Sequence, residues 1–104
     1  MILPLLLAAA VAPEAVRCTL DERPIAGCRM ADTVLPDGRH RLVFTGGVKP
    51  VVFVGRGANG WWSGTLDGRP AMGYERNRGN VVFATSDLGQ TFSWWYPGQE
   101  HGTY

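Results

Sequence analysis

Turn residues interrupt this chain so often that no long helix fits between them. Pro36-Asp37-Gly38, Gly46-Gly47, Asp67-Gly68, Arg78-Gly79 and Asp87-Leu88-Gly89 separate runs rich in Val, Phe, Thr, Trp and Tyr. From Pro13 onward no stretch holds an apolar 3.6-residue period between Gly or Pro interruptions. Short β-rich runs recur instead, at the spacing of an all-β sandwich or barrel. Fourteen glycines and seven prolines therefore read as tight turns rather than disorder. The predicted strands are Ala26–Met30, His40–Thr45, Val51–Val54, Gly60–Leu66, Ala71–Arg76, Asn80–Thr85 and Gln90–Tyr96. Asp67-Gly68 suits a type I′ hairpin, whose two central residues both take positive φ. Asp87-Leu88-Gly89 suits a three-residue hairpin loop with Gly89 in the left-handed position. Links this short make neighbours antiparallel, so the expected fold is an all-β up-and-down meander of about six or seven strands, a barrel or sandwich.

The first residues carry a different signal. Met1 to Ala12 form an apolar run, too short for a membrane anchor of about 20 residues, that ends in the small-residue pattern of a secretory leader. Cleavage is expected after Ala10 or Ala12. The cut after Ala10 is preferred, because Pro13 directly follows Ala12. The expected organisation is a signal peptide over 1–12 and a single β domain over 13–104, in the periplasm or secreted. Lipidation at Cys18 is excluded by Arg17, which stands where a lipoprotein needs a small residue. Cys18 and Cys28 agree with export, since a cysteine pair in an oxidising compartment usually forms a disulfide. The polar, Pro-containing segment between them reads as two short arms and a turn, with Gly27 as a bulge. Two thiols ten residues apart lack the C-x₂-C spacing of a zinc site.

A net charge of +1 gives no electrostatic footprint for nucleic acid or an acidic membrane surface. Gly55-Arg56-Gly57-Ala58-Asn59-Gly60 matches the G-x-G-x-x-G fingerprint of dinucleotide folds. That motif needs a helix after the glycines, and Trp61-Trp62-Ser63-Gly64-Thr65 has strand character. A Gly-rich β-connection is the reading, and no cofactor is expected.

The aromatic residues are the candidate binding surface. Trp61-Trp62 and Trp94-Trp95-Tyr96 lie inside predicted strands, where adjacent side chains point to opposite faces. One Trp of each pair must face away from the core the other enters. Val51-Val52-Phe53-Val54 and Val81-Val82-Phe83 are likewise apolar on both faces, and no helix is available to cover the second one. Exposed apolar patches mark interaction sites, and Trp and Tyr are enriched at interface hot spots. The candidate binding residues are Trp61, Trp62, Tyr74, Trp94, Trp95, Tyr96 and Arg76, with Arg78 beside them.

The enzymatic alternative is thin. His101 beside Glu100 offers a general base, but catalysis needs a nucleophile or water held within reach of it. There is no G-x-S-x-G elbow, and Ser63, Ser86 and Ser93 have no activating context. His40 and His101 lack a third ligand for a metal.

The stretch from Gly73-Tyr74-Glu75 through Val82-Phe83-Ala84-Thr85 to Thr91-Phe92 resembles the C-terminal hairpins of periplasmic C-type lysozyme inhibitors. The likeness spans about a quarter of the chain, in strand residues of a kind common to β meanders. It implies a small exported β-barrel that binds a lytic enzyme. The chain departs from that family where its inhibitory Ser-rich loop is replaced by Arg69-Pro70-Ala71-Met72, and where Ser86 stands in place of a functional Lys. Its disulfide is near the start rather than reaching towards the end. The expected function is a non-catalytic binding module for a cell-envelope saccharide or protein, with a structural homodimer and a small hydrolase as the alternatives.

Overall fold

A computed structural model of the chain describes residues 12–76 and 79–98; the expected leader as far as Val11, Arg78, Glu100 and His101 lie outside them. Among the described residues no helix forms. β1 (Glu14–Ala15) and β2 (Arg17–Leu20) are parted only by Val16, and β3 (Arg23–Pro24) turns back on β2. β4 (Arg29–Val34), β5 (His40–Thr45), β6 (Val51–Ala58), β7 (Trp61–Leu66), β8 (Arg69–Arg76), β9 (Asn80–Thr85) and β10 (Thr91–Trp95) then run as a meander. All pairings are antiparallel, in one sheet of order β1-β4-β5-β6-β7-β8-β9-β10-β2-β3, curled into a half-barrel. The N-terminal segment reaches both edges of the meander. Glu14 and Ala15 pair with Met30 and Arg29 of β4, while Arg17 to Leu20 pair with Trp95 to Phe92 of β10.

The all-β meander is as expected, but ten strands among the described residues replace the six or seven predicted. His40–Thr45 and Asn80–Thr85 coincide with observed strands. The additional strands lie before β4: β2 and β3 are the two short arms expected around the Pro-containing turn, while β1 and the start of β2 change partner at Val16 and leave little hydrophobic run to read. The predicted strand Ala26–Met30 begins instead at Arg29 and continues to Val34. Ala31-Asp32-Thr33 has weak strand propensity, and register with Val43-Leu42-Arg41 of β5 holds it extended.

Period-2 alternation sends one side chain in two inward. Val16, Cys18, Met30, Leu42, Phe44, Val51, Phe53, Leu66, Val81, Phe83, Phe92 and Trp94 form the buried core. Its centre is aromatic: Phe53 stacks on Phe83 with centroids 4.1 Å apart, and Phe44 meets Phe92 at 4.6 Å. The G-x-G-x-x-G motif serves this packing. Gly57 lies directly against the Trp62 ring, where a Cβ would approach to 2.8 Å. Asn59 and Gly60, with φ of 56° and 82°, make the β6–β7 turn.

Asp67 and Gly68 both take positive φ, as a type I′ turn requires. In the β9–β10 turn the left-handed residue is Leu88, φ 61°, and not the expected Gly89. A Cβ on Gly89 would come within 2.6 Å of the end of the Arg69 side chain, which would have to shift. Asp87 organises this turn, accepting from Arg69 Nη2 at 2.6 Å, Thr85 Oγ1 at 2.7 Å and the Gly89 amide at 2.9 Å. Arg69 first, then the Thr85 hydroxyl and the Gly89 amide, hold its carboxyl well below the usual carboxylate range.

The Cys18–Cys28 disulfide ties β2 to the segment entering β4, with Cα atoms 6.1 Å apart. Reducing it should lower unfolding stability by about 3 kcal/mol, the chain-entropy value for so short a loop. Urea unfolding with and without reductant measures this, and an unchanged midpoint would show that the pairings alone hold the seam. Because the folded Asp87 has a depressed pKa, its contribution is complete above the unfolded value near 3.8 and is lost as pH falls through the lower folded one. D87N should therefore unfold at lower urea than the parent at pH 7, with the gap narrowing as pH drops below that value. A gap that does not change with pH would refute this role.

Candidate functional site

The predicted binding aromatics do not form one surface. Register divides them into three groups. Trp61 faces out from β7, opposite Tyr74 of β8, which in turn pairs with Val82 of β9. The next outward row is Ser63, Met72 and Ala84. Trp61 is 60 %, Met72 56 % and Tyr74 41 % exposed. The rings of Trp61 and Tyr74 are tilted by 44° with centroids 6.0 Å apart. Shallow grooves flank this ridge. One of about 250 Å³ runs past Tyr74, Ala84 and the exposed Leu88. The other, of about 280 Å³, runs past Arg56, Ala58 and Ser63.

Trp62, the neighbour of Trp61, points inward and sets its edge against Phe53 and Phe83 at 5.8 and 6.1 Å. Trp94 is core, 7 % exposed, and its indole N–H is buried without a hydrogen-bond partner. Tyr96 lies beside Trp94, centroids 5.4 Å apart. Trp95 is half-buried on the outer side of β10, opposite Arg17. Arg76 is exposed at the end of β8, opposite Asn80. Trp61 and Tyr74 are thus the pair that the fold brings together on the outer β7–β8 face, while Trp62 and Trp94 enter one end of the interior and Tyr96, 41 % exposed, lies at its rim against Trp94.

That end holds polar groups that sequence reasoning passed over. Nδ1 of His40 lies 2.9 Å from Asp32 Oδ1, and the imidazole stands edge-on to Trp62 at 5.6 Å. Across the seam, the Tyr96 hydroxyl donates to Glu14 Oε1 at 3.1 Å. Burial, then the Glu14 hydrogen bond and the Glu14 and Asp32 charges, pushes the Tyr96 pKa up. Glu75 joins Trp62 and Trp94 in lining a space of about 280 Å³ beside the Asn59-Gly60 turn. The signal was present in the alternation: Asp32 is in phase with Met30, and His40 with Leu42 and Phe44.

Chemically, Asp32 fixes the orientation of the His40 ring, a pairing that suits proton transfer as well as structure. No side-chain hydrogen bond among the described residues joins this pair to a serine, threonine or cysteine. No group of three His, Cys, Asp or Glu among the described residues is placed to hold a metal. No helix among them is long and apolar enough to cross a membrane. The disulfide is compatible with an exported protein.

No protein-family model matches the chain, and neither a curated protein nor a solved structure matches it.

Removing Trp61 and Trp94 separately should distinguish surface from core. W94A should cost about 3–5 kcal/mol of stability, as large-to-small core truncations do. W61A should stay within about 0.5 kcal/mol. Equal losses in chemical denaturation would place both rings in the core.

Proposed function

We propose that this chain is an exported, non-catalytic binding module whose outer β7–β9 face docks a protein of the cell envelope. The observation that carries the reading is the cross-strand cluster of Trp61, Met72 and Tyr74, each more than 40 % exposed. Aromatics and Met are enriched in interface cores, where they anchor affinity. A saccharide would also stack on Trp61, but it needs hydrogen-bond partners for its hydroxyls. The groove between Met72, Ala84 and Leu88 supplies few, which favours an apolar protein surface. The ridge is built on paired strands rather than on a loop, so little ordering cost is added on binding. Export is supported by the apolar leader with its small-residue ending and by the disulfide.

A photo-crosslinking residue placed at Ser63, in the outward row beside Met72, tests this in the native cell envelope. The expected result is a discrete adduct with a second protein, abolished by W61A/Y74A and absent when the crosslinker replaces Thr33. Adducts only between copies of the chain would establish the homodimer instead. Co-sedimentation with purified peptidoglycan, lost in W61A/Y74A and without a protein adduct, would establish the saccharide.

A further inference from the structure

A wide cavity lies at the other end of the half-barrel from His40. Antiparallel alternation brings four connections together there: β2–β3, β5–β6, β7–β8 and β9–β10. They enclose about 860 Å³, within the roughly 300–1,000 Å³ typical of small-molecule sites. The floor is apolar. Val51 is core, and Leu20 and Ile25 pack against the core from its edge. Val48, on the β5–β6 connection, also lines the cavity but is fully exposed to water. That connection is seated firmly: a Cβ on Gly46 would come within 2.8 Å of the Gly27 carbonyl, beside the disulfide, and Gly47 lies against Ile25.

The charged lining residues divide into engaged and unengaged groups. Asp21 accepts the Thr91 amide at 2.9 Å. Asp67 accepts the Val52 amide at 2.8 Å and Gln90 Nε2 at 3.0 Å. Arg69 is held by Asp87 at 2.6 Å. Arg23 and Lys49 also line the cavity, and their side chains form no hydrogen bond or ion pair among the described residues. Asp21 and Asp67 keep their negative charge but turn oxygens towards backbone amides and Gln90, whereas Arg23 and Lys49 form no ion pair among the described residues.

We propose that this cavity binds a free single-chain amphiphilic acid. Its hydrocarbon body lies on Leu20, Ile25 and Val51 beneath Val48, and its acid group is held by Arg23 and Lys49. Covering Val48 and the floor supplies the hydrophobic gain, and the two cations select an anionic head. A recessed floor suits a free acid better than a lipid still packed in a bilayer. The site is separate from the β7–β9 face and does not depend on the function proposed for it.

Equilibrium dialysis of the full chain against radiolabelled laurate, below the concentration at which laurate self-associates, tests the proposal. One laurate should be retained per chain. R23E/K49E should weaken retention by at least about tenfold, the loss expected when charge-assisted hydrogen bonds are removed. A26W, which fills the cavity from an exposed position and keeps both cations, should also abolish retention, while W61A leaves it unchanged. Circular dichroism confirms that each variant is folded. Retention of dodecyltrimethylammonium as strong as that of laurate would overturn the proposal, as would laurate binding unaltered in both R23E/K49E and A26W. Sedimentation with phosphatidylglycerol vesicles without retention of free laurate would overturn it in favour of a membrane surface.

Discussion

Residues 14–20 hydrogen-bond to β4 through their first part and to β10 through their second, so the two ends of the meander share one strand. Left apart, β4 and β10 would each present unpaired N–H and C=O groups, which invite pairing with other chains. The change of partner falls at Val16, whose amide donates to the Cys28 carbonyl at 3.1 Å while its side chain enters the core. Two residues later Cys18 is bonded covalently to Cys28 across the same seam. The β2–β10 part of this closure joins residues more than seventy apart and costs loop entropy before its contacts repay it, while the disulfide limits that cost on the β1–β4 side. The core, the end cavity and the outer face all take their shape from this closure.

The curled sheet has one inside, and four phenylalanines occupy its centre. Phe44, Phe53, Phe83 and Phe92 are all almost completely buried, and Trp62 and Trp94 pack beside them. Little room remains for the apolar side chains on the opposite faces of the same strands. Val52, Val54, Val82 and Ala84 are half-buried on the outer side, and Trp61, Met72 and Tyr74 stand in water. The surplus follows from runs such as Val51-Val52-Phe53-Val54, which put apolar groups on both faces of a strand whose sheet has no helix to cover it. That surplus is the physical basis for reading β7–β9 as a docking surface.

Much of the framework was legible because its signals are local. Asp67-Gly68 announces its turn through the φ angles it tolerates, and His40–Thr45 and Asn80–Thr85 announce their strands through composition. The conflict within Trp61-Trp62 and Trp94-Trp95 was also readable, since alternation alone requires one ring of each pair to face outward. Which ring faces outward depends on long-range register, and so does the gathering of Trp62, Trp94 and Tyr96 at one end. The pairings of β1 with β4 and of β2 with β10 were not legible, because each joins residues more than ten apart, whereas the local β2–β3 hairpin showed in its polar, Pro-containing turn. The Asp32–His40 pair was hidden for another reason: it lies at the mouth of the interior, where alternation continues but hydrophobicity has ended. Gly89 misled because a glycine in a turn suggests positive φ, whereas here its neighbour Leu88 takes that conformation.

Acrylamide quenching of tryptophan emission, compared between the parent chain and its single Trp→Phe variants, tests most directly whether the closed interior leaves its aromatic surplus at Trp61. The parent should show one readily quenched, red-shifted component over a protected background. W61F should remove that component and shift the remaining emission to the blue, while W94F leaves it in place. If W61F retains the quenchable emission and W94F abolishes it, the register that turns Trp61 outward is wrong and the β7–β9 face is not the binding surface.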